Sequence, residues 1–96
     1  MDVAAFAKTA NAGRPPPSLS APLAALWWAK KGEWETAHRL VMGDNSRDAA
    51  WVHAYLHRVE GDGGNAGYWY RQARKPVATA ALDAEWMAIV EDMLGR

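Results

Sequence analysis

The chain of 96 residues contains no cysteine, which excludes disulfides, thiolate catalysis and any cysteine-ligated zinc or iron–sulfur centre. It carries no excess charge of either sign, eleven Lys and Arg balancing eleven Asp and Glu. A neutral chain lacks the basic surplus that displaces counterions from a phosphate backbone. Neither nucleic acid nor an anionic membrane surface is therefore expected as a partner. No apolar run approaches the ~18 residues of a membrane span. The opening MDVAAFAKTANAGR puts Asp2 where a secretory signal needs positive charge and breaks its apolar stretch at Lys8, so a cytoplasmic protein is expected. No segment alternates with period two, and no strands are expected.

What the chain has instead is tryptophan. Six Trp and three Tyr accompany a single Phe, and half of all residues are apolar. A buried Trp or Tyr removes roughly 150–250 Å² from water, enough for one core at this length but not for two.

Residues 1–17 read as an N-terminal segment, a short helix capped by Asp2 or a frayed end, followed by the connector Asn11–Pro17, whose Gly and prolines forbid a helix. Residues 18–96 read as the main domain. Ser20 is the expected N-cap of a helix through Leu23, Leu26 and Trp27, with Pro22 tolerated in its first turn. The next helix carries Trp34, Ala37, Leu40 and Val41 and ends at Gly43. A third, capped near Asn45 or Ser46, places Trp51, Val52, Tyr55, Leu56 and Val59 in one arc. Gly61-Asp62 turns the chain into a fourth with Ala66, Trp69, Tyr70 and Ala73, which Pro76 stops. Leu82, Trp86, Ile89, Val90, Met93 and Leu94 form a last amphipathic stripe.

These helices repeat. A shift of 29 residues lays Ala25 on Ala54, Gly32 on Gly61, Glu33 on Asp62, Ala37 on Ala66, Leu40 on Trp69 and Val41 on Tyr70. The glycine permits a tight turn, and the small residues let paired helices approach closely. An all-α fold is expected: two antiparallel helical hairpins and a C-terminal capping helix, about five helices in all.

At these residues the chain resembles the tetratricopeptide and Sel1-like repeats. Gly61-Asp62, Ala66, Tyr70, Ala73 and Pro76 match the second half of a tetratricopeptide unit, and Tyr68-Trp69-Tyr70-Arg71 with Ala73 is similar to a Sel1-like ending. The first unit keeps Gly32, Ala37 and Val41. Residues 19–94 also resemble a family of small bacterial proteins without an assigned function. The shared pattern comprises Leu23–Trp27, Gly32–Trp34, Ala37-His38, Ala50–Arg58, Glu60–Asp62, Asn65-Ala66 and Tyr68–Arg71. The resemblance implies a fold but no activity, and Gly63-Gly64 departs from it as a loose turn between helices.

Candidate chemistry is sparse. His53 and His57 lie one helical turn apart, and Glu60 extends the stripe by three residues. Two His at i and i+4 with a carboxylate suit a zinc ion if His38 supplies a further ligand, although the protease motif with Glu beside the first His is absent. A buried polar network and contact with a ligand are the other readings. Ser18, Ser20 and Ser46 sit at helix starts, where capping accounts for them. The run Gly61–Gly64 lacks the Lys of a phosphate loop, and the aspartates at 44, 48 and 62 miss calcium-loop spacing. Arg71, Arg74 and Lys75 complement a helix C-terminus. Trp27 and Trp28 point about 100° apart, so one of them marks a second contact, with the N-terminal segment, a partner or another copy.

The sequence thus points to a non-catalytic interaction module for a protein, a peptide or a small ligand, with no resident cofactor. His38, His53, His57, Arg58, Glu60, Asn65 and Trp69 are the candidate binding residues. The alternatives are a small metal- or ligand-dependent enzyme or binder built on His38, His53, His57 and Glu60, and a structural homodimer or larger homo-oligomer.

Overall fold

A computed structural model describes residues 1–96, which form six α-helices and no strand. They are α1 (Val3–Asn11), α2 (Ala21–Lys30), α3 (Trp34–Met42), α4 (Arg47–Val59), α5 (Gly63–Ala73) and α6 (Leu82–Leu94). The caps fall where the side chains require them. Asp2 accepts from the Ala5 N–H, Ser20 from Leu23, Ser46 from Ala49 and Asp62 from Asn65, each satisfying an N–H that a helix start leaves free.

Helix α2 runs into α3, and α4 into α5, through the same turn. Gly32 and Gly61 hold φ at +82° and +86°, a left-handed conformation that costs glycine little. In both turns the next residue donates back five positions, Glu33 to the Trp28 carbonyl at 3.0 Å and Asp62 to the His57 carbonyl at 2.9 Å. This pairing satisfies carbonyls left open at a helix end. The small residues of the repeat, Ala25, Ala37, Ala54 and Ala66, are all buried. A third turn of the same type closes α5, but there Arg74 occupies the left-handed position with φ +58°.

The core is gathered around α4, in which eight of thirteen residues are buried, so it is a central helix and not a one-sided one. The expected arc was too narrow: His53, Ala54 and His57 are buried as well, and Val59 at its end is exposed. Phe6, Leu26, Trp27, Leu56, Ile89 and Val90 are fully enclosed, each contributing about 1.5–3 kcal/mol by leaving water. The Trp86 indole donates to the Leu26 carbonyl at 2.8 Å and stacks on Phe6 at 6.0 Å.

The helix count is six and not about five, because the N-terminal segment is a docked helix. Phe6 on α1 is 0 % exposed, and Thr9 Oγ1 accepts from the Trp27 indole at 2.9 Å. Trp27 thereby makes the contact to the N-terminal segment, while Trp28 packs edge-on against it. Two local expectations are corrected. Gly63-Gly64 is the first turn of α5, the loop being confined to Glu60, Gly61 and Asp62. Ser18 caps nothing but takes a left-handed backbone, φ +63°, in the connector before Ser20.

Helix α6 is fastened by a buried polar contact. Glu85, 6 % exposed, accepts from Arg58 Nη1 at 2.8 Å and from the Tyr70 hydroxyl, and Arg58 also donates to the Ala80 carbonyl. Burial and the nearby Glu85 raise the Tyr70 phenol, and burial pushes Tyr55 up to about 12. No helix is long and apolar enough to cross a membrane.

Candidate functional site: an imidazole cluster between two indoles

Three helices bring five rings together. Trp34 and His38 are one turn apart on α3, as are His53 and His57 on α4, and Trp69 stands on α5. The shared 3.6-residue period places each pair on one face. Trp34 stacks on His38 at 4.6 Å, and Trp69 stacks on His53 at 4.0 Å with an interplanar angle of 13°. Between these indoles the imidazole centroids are 4.7 Å (His38–His53), 4.8 Å (His53–His57) and 5.3 Å (His38–His57) apart.

Hydrogen bonds fix the rings. His38 Nε2 lies 3.0 Å from His53 Nε2, so one of these nitrogens carries the proton and the other accepts it. His57 Nδ1 lies 2.6 Å from Glu60 Oε1. The carboxylate holds the proton at Nδ1 and turns Nε2 of His57 away from Glu60. The Trp34 indole donates to the Leu56 carbonyl at 2.7 Å, tying α3 to α4 beside the cluster. His53 and His57 are buried, and His38 is half-buried.

The surroundings disfavour charge on two of the three rings. Burial first, then the neighbouring His38 and His57, push His53 down to about 4. Burial and His57 also lower His38, against the opposing pull of Glu35 and Glu60. At neutral pH both rings are therefore neutral, each keeping one nitrogen lone pair. One ring nitrogen from each of the three histidines lies within 4.8 Å of the others.

The candidate residues divide into two groups. His38, His53, His57, Glu60 and Trp69 come together as described. Arg58 turns to the other side of α4, against Glu85, and Asn65 sits exposed in the first turn of α5 with its N–H on Asp62. Trp34 was not among the candidates, though its place four residues before His38 signals a shared face. Glu85 was missed too, and its signal was a carboxylate inside the apolar stripe of α6. No protein-family model matches the chain, and no significant match is found among curated proteins or solved structures.

Proposed function

We propose that the chain is a non-catalytic binding module of two tetratricopeptide- or Sel1-like hairpins, α2–α3 and α4–α5, with the imidazole–indole cluster as its binding locus. The repeated glycine turn and the four buried alanines at matching positions support the hairpin reading. The observation that carries the binding reading is the convergence of three imidazoles from two helices, walled by two indoles. Such a cluster is a costly way to join helices. An imidazole must be desolvated before its hydrogen bonds return anything, whereas leucine at a buried position contributes about 1.5–3 kcal/mol. Polar groups kept where apolar ones would pack better mark positions shaped by binding. Trp69 also walls a cleft of about 220 Å³ between α5 and the α3–α4 loop, with Met42, Asn45, Ala50, Tyr68 and Gln72, a size suited to one side chain of a peptide.

Trp34 and Trp69 report on this locus. Tryptophan emission would be followed across a panel of divalent metal ions, short peptides, and small carboxylates and phosphates. The untagged protein would be compared with the triple variant H38L/H53L/H57L. At least one class should change the parent's emission saturably and leave the variant's unchanged. A panel silent on the parent, or one acting equally on both proteins, contradicts the reading.

A further inference from the structure

The chemistry of the cluster names a ligand class, on the premise that the cluster is the binding locus. We infer that His38, His53 and His57 bind one divalent transition-metal ion of the zinc type, with Glu60 orienting His57 from behind. Three arguments converge.

The donor set comes first. Three imidazoles and no carboxylate in the inner set suit zinc, copper or nickel. Calcium and magnesium demand oxygen ligands and are poorly served here.

Geometry comes second. Metal–nitrogen bonds of about 2.0–2.1 Å at tetrahedral angles hold the ligand nitrogens roughly 3.3–3.4 Å apart. His38 Nε2 and His53 Nε2 already stand at 3.0 Å; both can ligate once the proton between them moves through water to the other nitrogen of its own ring and the two rings turn toward a common point. One ring nitrogen from each of the three histidines lies within 4.8 Å of the others, so the widest of these gaps must close by roughly 1.5 Å at most to reach that spacing. His53 and His57, at i and i+4, project from one face of α4, the placement that helical zinc sites use.

Third is the surrounding shell. Metal-binding histidines characteristically donate their other N–H to a carboxylate, which sets the tautomer and raises ligand basicity. His57 does this with Glu60 at 2.6 Å. The indoles of Trp34 and Trp69 close two sides of the set. With three protein nitrogens, one corner of a tetrahedron stays open for water or for an exogenous donor.

The stacked pairs Trp34–His38 and His53–Trp69 make binding visible without activity. Untagged protein freed of metal by chelation would be titrated calorimetrically with zinc chloride, and in parallel with cobalt(II) followed by visible absorption. The expected result is one ion per chain, with intense tetrahedral-type cobalt bands. Zinc at 100 times its Kd should raise Tm by roughly 10–20 °C. H53L should abolish binding. E60Q, altered only at an exposed carboxylate, should weaken it by about 10–100-fold while leaving the metal-free Tm within about 2 °C of the parent. Absence of saturable binding on the parent overturns the metal assignment, as does unchanged affinity in both H53L and E60Q. If the metal arms fail while a peptide or small anion acts through the cluster, the assignment falls and the binding module stands. A panel silent in every arm removes both.

Discussion

Replacing Glu85 with alanine tests the packing logic most severely. The side chain is 6 % exposed and holds two partners, the Arg58 guanidinium at 2.8 Å and the Tyr70 hydroxyl. Truncation leaves a buried hydroxyl without its acceptor and a largely buried guanidinium, 22 % exposed, without its counter-charge. Removing one member of a buried ion pair costs about 3–5 kcal/mol. The lower end applies here, because Arg58 keeps the Ala80 carbonyl and its tip can reach water. About 3 kcal/mol is a large share of the roughly 5–14 kcal/mol expected for a chain of this length, and it corresponds to a fall in Tm of ~12–24 °C. E85Q keeps the shape and an acceptor while losing the charge, so about half that loss is expected. The assay is urea unfolding of the parent, E85A, Y70F and the double variant. The two single losses should sum to more than the loss of the double variant, since both break the same contact. A loss below about 1 kcal/mol for E85A would refute the claim that this contact fastens α6 to α4 and α5.

Three further outcomes are expected. The folded-state pKa of His53, about 4, lies below the 6.5 of an unperturbed histidine, so the unfolded chain takes up the proton first as pH falls. The contribution is flat above about pH 7, and stability declines between roughly pH 6.5 and 4, by about 2 kcal/mol at pH 4.5. Urea midpoints across that range should show this slope, and it should flatten in H53Q. Arg74 holds φ at +58° where the other two turns use glycine, so R74G should raise stability by about 0.5–1 kcal/mol in the same assay. Removing the fully buried ring of Phe6, stacked on Trp86, should cost about 3–4 kcal/mol and open α1 to proteolysis.

What was legible in the sequence follows the range of the interaction responsible. Ser20, Ser46, Asp62, Gly32 and Gly61 obey rules spanning five residues or fewer, and each does in the structure what its local pattern expects. Docking of α1 rests on Phe6 meeting Trp86 from the opposite end of the chain, and nothing in the first eleven residues encodes that partner. For the same reason Arg58 was assigned to a binding surface when its counter-ion, Glu85, lies on the last helix. The candidate site was half legible. His53, His57 and Glu60 follow from helical spacing. The approach of His38, and the stacking of Trp34 and Trp69 on either side, depend on how α3 and α5 cross α4.

The central claim is that the imidazoles are kept for binding and not for joining α3 to α4. Its most direct test is equilibrium urea unfolding of H38L/H53L/H57L beside the metal-free parent at pH 7.5. Replacing the three imidazoles by apolar groups of similar bulk removes the desolvation cost along with the hydrogen bonds, and the one partner left behind, Glu60, is exposed to water. The triple variant should therefore be as stable as the parent or more so. A loss of more than about 3 kcal/mol would show that the imidazole network itself carries the junction, and would contradict the claim.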